Sequence, residues 1–230
     1  MRDDVELRVV EDPAQAGAEL LARAAAAGGH IALSGGSTPK DSYECAAALG
    51  ADWAGAVLWF GDDRCVPPDH EHSNYLMVRE ALLDRLDPAP ATHRIHGELG
   101  PQQAADDYEL ALKDAFHGAK PVLDLALMGL GPDVHTASLF PGKPALQETD
   151  RLAVGVEEAG MEPYVARVTL TLPVFNAARE VVFLVTGESK AEAVERAFGG
   201  EQSAEAPASL VRPEGGRLVL LCDAGAASRL

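Results

Sequence analysis

The sequence predicts an α/β protein built on a largely parallel sheet covered on both faces, and three observations carry that reading. Short β-type runs alternate with segments of helical pattern at the spacing of strand–helix–strand units. Several of these runs are almost wholly apolar, as in Val57-Leu58-Trp59-Phe60, which suits strands buried on both faces. Several also end alike, with a glycine and then polar residues, around Gly35, Gly61, Gly129 and Gly187. In a parallel sheet such ends share one edge, the edge at which open α/β sheets bind ligands.

The elements follow in order. Residues 5–10 alternate as a strand does. Asp12 as N-cap and Pro13 in the first turn open an alanine-rich helix to about Ala27, closed by Gly28-Gly29. Residues 30–33 are a second strand, ending at Ser34-Gly35-Gly36-Ser37-Thr38-Pro39-Lys40, with a helix following to about Leu49. Residues 57–60 are a third, ending at Gly61-Asp62-Asp63-Arg64. A proline-bearing loop then leads to a helix over about 75–86, a short strand at 94–96 and a helix over 101–117. A buried strand at 122–127 runs into the punctuated segment 128–142. Strands at 152–156 and 166–172, a short helix from Pro173, and a strand at 181–185 ending at Thr186-Gly187 come next. A helix over 188–198, a polar loop, one helical turn at 208–212 and a strand at 218–222 complete the chain. No repeat or linker divides it, so residues 1–230 are expected to form a single domain.

Charge narrows the partners. Against 36 acidic residues stand 19 Lys and Arg, a net charge of −17, which disfavours nucleic acid and anionic membrane. An anionic ligand would have to be held by a few local cations and backbone donors. Cys45, Cys65 and Cys222 lie far apart with no C-x-x-C pair, which argues against a zinc ribbon or a disulfide framework. No apolar run approaches the roughly 20 residues of a membrane span, and residues 1–12 are too charged for a secretory signal. A soluble cytoplasmic protein is the expectation.

Four segments (34–40, 61–64, 129–138 and 187–190) are therefore expected to line one cleft. Ser34, Gly35, Gly36, Ser37 and Thr38 lie between a strand and a helix, where glycines let backbone amides approach a ligand, hydroxyls donate and the helix N-terminus favours an anion. Phosphate is the natural guest, although neither a Walker A loop nor G-x-G-x-x-G is present, and a hydroxyl-capped turn would explain such a loop equally well. In Asp133-x-His135-Thr136-x-Ser138 the histidine can act as a base near neutral pH. The bland alternative makes His135 structural. Asp133 either orients the imidazole or caps the following turn, and the cap is favoured slightly. Lys190 sits about one turn into a helix, where a cation is disfavoured by roughly 0.3–1 kcal/mol. A phosphate partner would explain it; so would pairing with Glu188 or Glu192. Arg64 is either an ion-pair partner of Asp62 and Asp63 or a guanidinium aimed at an anion. On the residues alone it reads as a surface-loop residue, as do His70 and His72, which have no third metal ligand at a telling spacing.

The segments SGGSTP (34–39), GDDRCVPPDHEHSNY (61–75), MGLGPDVHTASLFPG (128–142), RVTLTLPVFNAAR (167–179) and FLVTGESKAEAV (183–194) together resemble the glucosamine-6-phosphate isomerase/6-phosphogluconolactonase superfamily, on its 6-phosphogluconolactonase side. The resemblance spans essentially the whole chain. It implies a Rossmann-like three-layer α/β/α fold with a mostly parallel sheet, of the NagB/RpiA/CoA transferase-like group. It also implies hydrolysis of 6-phospho-D-glucono-1,5-lactone with no metal or organic cofactor. The family's base falls on His135, its phosphate loop on Ser34 to Thr38, its acidic-arginine pair on Arg64 and its T-G-x-x-K lysine on Lys190. The small sugar-phosphate lactone is then the only partner implied, with the chain a monomer or weak homo-oligomer.

One position departs. Where the family commonly has glycine between aspartate and histidine, this chain has Val134. A β-branched residue would be strained there if the backbone needs positive φ. The rival readings are a hexosamine-6-phosphate deaminase or isomerase, against which the residues after His135 count, and a non-catalytic sugar-phosphate-binding protein.

Overall fold

The first helix shows how local signals become structure. Asp12 accepts the N–H of Gln15 at 2.9 Å, Pro13 takes the first position, and Ala18, Leu20, Leu21 and Ala25 are buried. The computed structural model describes residues 1–230. Its elements are β1 (Val5–Val9), α1 (Pro13–Ala26), β2 (His30–Leu33), α2 (Ser37–Ala48), β3 (Val57–Phe60), β4 (Asp62–Arg64), α3 (Asn74–Ala81), β5 (Ala91–Thr92) and α4 (Pro101–Ala115). After them come β6 (Leu125–Met128), β7 (Ala153–Val156), β8 (Arg167–Leu170), α5 (Leu172–Phe175), β9 (Glu180–Val185), α6 (Ala191–Val194) and β10 (Arg217–Cys222).

Seven strands, every pair parallel, form the central sheet in the order β1-β10-β9-β6-β2-β3-β5. Helices flank it: α1 packs against β2, β9 and β10, and α2 against α1, α3 and β9. A core of 60 buried residues runs through the molecule. The order explains where a site forms. From β2 the chain continues to β3 on one side, whereas β6 joins β2 on the other. The turns after β2 and β6 thus part at a topological switch point, where a crevice opens outside the strand ends. The four strands with glycine-marked ends, β9, β6, β2 and β3, are consecutive neighbours.

The structure departs from the sequence expectation in several places. The segment 61–64 is not a loop: β4 pairs antiparallel with β8, and β8 with β7, in a second, three-stranded sheet. Aspartates are poor strand formers, but here tertiary contacts override propensity, since both carboxylates are buried and hydrogen-bonded. Helix α2 begins at Ser37, inside the predicted loop. No strand forms at 94–96; β5 lies earlier, and His93 N–H continues its pairing to the Leu58 carbonyl at 2.9 Å. Strand β6 starts at Leu125, and before it the Asp124 side chain accepts the His30 N–H at 2.8 Å while the Asp124 N–H donates to the His30 carbonyl at 2.9 Å. The helix predicted over 188–198 is wound in three ways, a 3₁₀ turn at Glu188–Lys190, then α6, then a π turn at Glu195–Gly199. No helix of the chain is long and apolar enough to cross a membrane.

Candidate active site

A cleft of about 250 Å³ opens along the carboxyl edge of the sheet, and residues from all four predicted segments line it. Ser34, Gly35, Gly36, Ser37 and Thr38 form one wall. Gly36, at φ +108°, turns the chain so that α2 begins at Ser37, leaving the first amides of a 12-residue helix at the cleft. Tyr43 of α2 fixes the turn: its hydroxyl accepts the Ser34 N–H at 2.9 Å and donates to the Ser34 carbonyl at 2.8 Å. Tyr43 is fully buried, and burial pushes its pKa up, so it remains a neutral donor. The Ser34 hydroxyl is buried in the cleft without a partner. Thr38 and Thr186 share a hydroxyl hydrogen bond of 2.9 Å, which ties this turn to the end of β9.

The turn after β6 supplies the titratable pair. His135 Nδ1 hydrogen-bonds Asp133 Oδ1, which also accepts the His135 backbone N–H at 3.2 Å. Asp133 therefore caps the turn and orients the ring at once. Burial works to raise its pKa, but the hydrogen bond and charge of His135 outweigh that and hold it below its usual value. An ionised carboxylate only accepts, so the shared proton sits on Nδ1, which leaves Nε2 as the ring nitrogen free for chemistry. The ring packs against Phe140, with centroids 4.6 Å apart. Gly131 is required here, because a Cβ at that position would overlap the imidazole itself. Val134 has φ +67° and is fully buried, so the departure noted in the sequence does fall on a left-handed position.

The cations do not follow their bland alternatives. Lys190 is paired with neither Glu188 nor Glu192; its Nζ donates to the Leu130 carbonyl at 2.7 Å, in the cleft. Burial lowers its pKa and the charge of Asp133 opposes the shift. Arg64 is not a surface-loop residue paired with Asp62 or Asp63. It lies in β4, and its Nη1 donates to Asn74 Oδ1 and to the His72 carbonyl at 3.1 Å, while Nε has no partner. Asp63 instead accepts backbone N–H groups of Arg64, Asn74 and Tyr75. Asp62 accepts the Ser138 hydroxyl at 2.6 Å, joining the second sheet to the histidine turn. His70 and His72 lie outside the cleft.

Among the lining residues that sequence reasoning did not place in the cleft are Asn74 and Arg167. Asn74 explains Gly35, whose Cβ would overlap the Asn74 amide. Arg167 is 3% exposed and directly opposite Arg64 in the β4–β8 register. Like charges so placed repel, and the Arg167 side chain bonds to the carbonyls of Met161, Glu162 and Pro163, not to a carboxylate. Burial lowers its pKa, Asp62 opposes the shift, and Arg64 adds to it. A buried, unneutralised guanidinium facing a cleft marks a place for an anion. The signal was present in RVTLTL, where a strand of buried residues opens with an arginine, but only the pairing with β4 gives it meaning.

An oriented histidine and a glycine–hydroxyl turn at a helix N-terminus thus share one sheet edge of an α/β fold. The chain belongs to the family described as glucosamine-6-phosphate isomerases/6-phosphogluconolactonase, whose model matches residues 3–220. It is 42% identical over 208 residues to a 6-phosphogluconolactonase of Homo sapiens, covering 87% of this chain and 80% of that one. It is 42% identical over 207 residues to a 6-phosphogluconolactonase of Nostoc sp., covering 87% and 84%. Among solved structures, 6-phosphogluconolactonase from Trypanosoma cruzi superimposes with a TM-score of 0.86 at 28% identity, covering 100% of this chain and 98% of that one.

Proposed function

We propose that this protein hydrolyses 6-phospho-D-glucono-1,5-lactone to 6-phospho-D-gluconate, the lactone-opening step of the oxidative pentose phosphate pathway. One observation carries the reading: an oriented histidine shares a small cleft with a glycine–hydroxyl turn at a helix N-terminus. The kinship with 6-phosphogluconolactonases supplies the substrate. In this mechanism the phosphate is held by the amides and hydroxyls of Ser34 to Thr38 with Lys190 and Arg64, and Arg167 adds to the positive field. The lactone carbonyl then lies beside His135. Nε2 takes a proton from water as the water oxygen bonds to the carbonyl carbon. The bond from that carbon to the ring oxygen breaks as His135 returns the proton to the departing oxygen. Asp133 holds the ring and stabilises the transient imidazolium. The lactone opens slowly unaided, so a modest acceleration suffices.

The deciding assay uses freshly generated 6-phosphogluconolactone with spontaneous hydrolysis subtracted. Turnover well above background is the expected result. Release of ammonia from glucosamine 6-phosphate would favour the deaminase reading, and tight binding of 6-phosphogluconate without turnover the non-catalytic one. In this account residues 1–230 act as one catalytic domain, a monomer or weak homo-oligomer in the cytoplasm, where the three free thiols are at home.

A further inference from the structure

Three non-glycine residues have positive φ, and of these Val134 alone is β-branched. It directly precedes His135, so whatever holds Val134 also aims the imidazole. Two backbone hydrogen bonds do the holding. The Val134 N–H donates to the Gly131 carbonyl at 3.0 Å, which only closes the turn on itself. The Val134 carbonyl accepts the N–H of Ala208 at 3.0 Å, from a distant part of the chain. Ala208 lies in the 3₁₀ turn Pro207–Leu210, whose first three residues are buried. That turn is fastened in turn. The Ser209 hydroxyl accepts the Ser203 N–H at 2.9 Å, and the Ser209 carbonyl accepts Arg2 Nη1 at 2.6 Å. Arg2 is itself anchored by its N–H to the Phe198 carbonyl at 2.9 Å. No residue of 206–211 lines the cleft, and the segment's hydrogen bond to the histidine turn is the one from Ala208 to Val134.

We infer that the turn Pro207–Leu210 is a positioning element for His135, acting through the Ala208 N–H, and that this pin lets a valine occupy the left-handed position beside the base. The inference rests on His135 being the base. Glycine adopts positive φ without a steric penalty and would not need the pin. The consequence is a dependence on background. Ser209→Ala and Arg2→Ala each loosen the turn without touching the cleft. With Val134 present, each is expected to lower kcat by about tenfold, a loss of the size a small misplacement of a reacting group produces. KM for the lactone and Kd for 6-phosphogluconate should stay within about twofold, since the phosphate cradle is untouched. In a Val134→Gly background the same substitutions should change kcat by less than about twofold, because glycine lacks the steric penalty that drives a valine out of positive φ once the pin is loosened. A loss equal in both backgrounds, a loss that falls on KM, or no loss in either would overturn the pin. His135→Ala measured alongside separates the two readings. If it abolishes turnover while the ratios do not depend on background, the pin alone fails; if it retains turnover, the base assignment fails and takes the pin with it.

Discussion

The turn after β2 and the turn after β6 sit side by side, yet the first is fastened chiefly by the helix it opens, with one tie to Thr186, and the second is held by several distant segments as well as by itself. In the first, glycine occupies the positive-φ position at Gly36, and Tyr43, nine residues beyond Ser34, satisfies both backbone groups of Ser34. In the second, valine and alanine take positive φ at Val134 and Ala137. Beside its local bonds it has three from afar: Ala208 on the Val134 carbonyl, Thr169 accepting the Ser138 N–H at 3.3 Å, and Asp62 accepting the Ser138 hydroxyl. A binding turn needs only to present donors, which a helix N-terminus does by itself. A turn that aims a side chain for chemistry, as proposed for His135, has to be held against several parts of the fold.

That contrast separates the kinetic constants. The largest effect belongs to the histidine turn: His135→Ala should cut kcat by about 10²–10⁴-fold while Kd for 6-phosphogluconate barely moves. Unchanged kcat would remove the base from the account. Lys190→Ala should instead raise KM by roughly tenfold or more, the size of a lost charge-assisted hydrogen bond. An unmoved KM would mean that the phosphate lies elsewhere. Because burial lowers the Lys190 pKa, with Asp133 opposing, the ammonium loses its proton at lower pH than an exposed lysine does. Affinity for 6-phosphogluconate should therefore weaken on the alkaline limb, and Lys190→Arg, which keeps its charge, should abolish the weakening.

Smaller effects probe how each turn is held. Tyr43→Phe strands the buried N–H and carbonyl of Ser34 and should cost about 1–3 kcal/mol in urea unfolding, with KM rising more than kcat falls. At position 134 the usual ranking should invert. Alanine normally exceeds glycine in stability by roughly 0.5–1 kcal/mol, but at φ +67° Val134→Gly should be more stable than Val134→Ala by about 1 kcal/mol. The opposite order would show that the left-handed backbone is not what limits this turn.

The same contrast explains what the sequence disclosed. Glycine-terminated apolar runs located four of the parallel strands and the cleft at their ends, because strand and helix periods and glycine turns are local properties. The turn after β2 was legible for the same reason. Arg64 was read as a loop residue because Gly61-Asp62-Asp63-Arg64 has turn composition, and only pairing with Arg167-Val168-Thr169 makes it a strand. Arg167 and Asn74 went unnoticed because their meaning is a contact, with Arg64 and with Gly35 respectively. Asp133 posed a choice between capping and orienting that vanishes once one carboxylate oxygen is seen to do both.

A crystal structure with 6-phosphogluconate bound tests the central claim most directly. The account predicts phosphate oxygens about 3 Å from the Ser37 and Thr38 amides and Lys190 Nζ, and the carboxylate about 3 Å from His135 Nε2. A ligand lying the other way round, with its phosphate beside His135 and its carboxylate at the 34–38 turn, would contradict it.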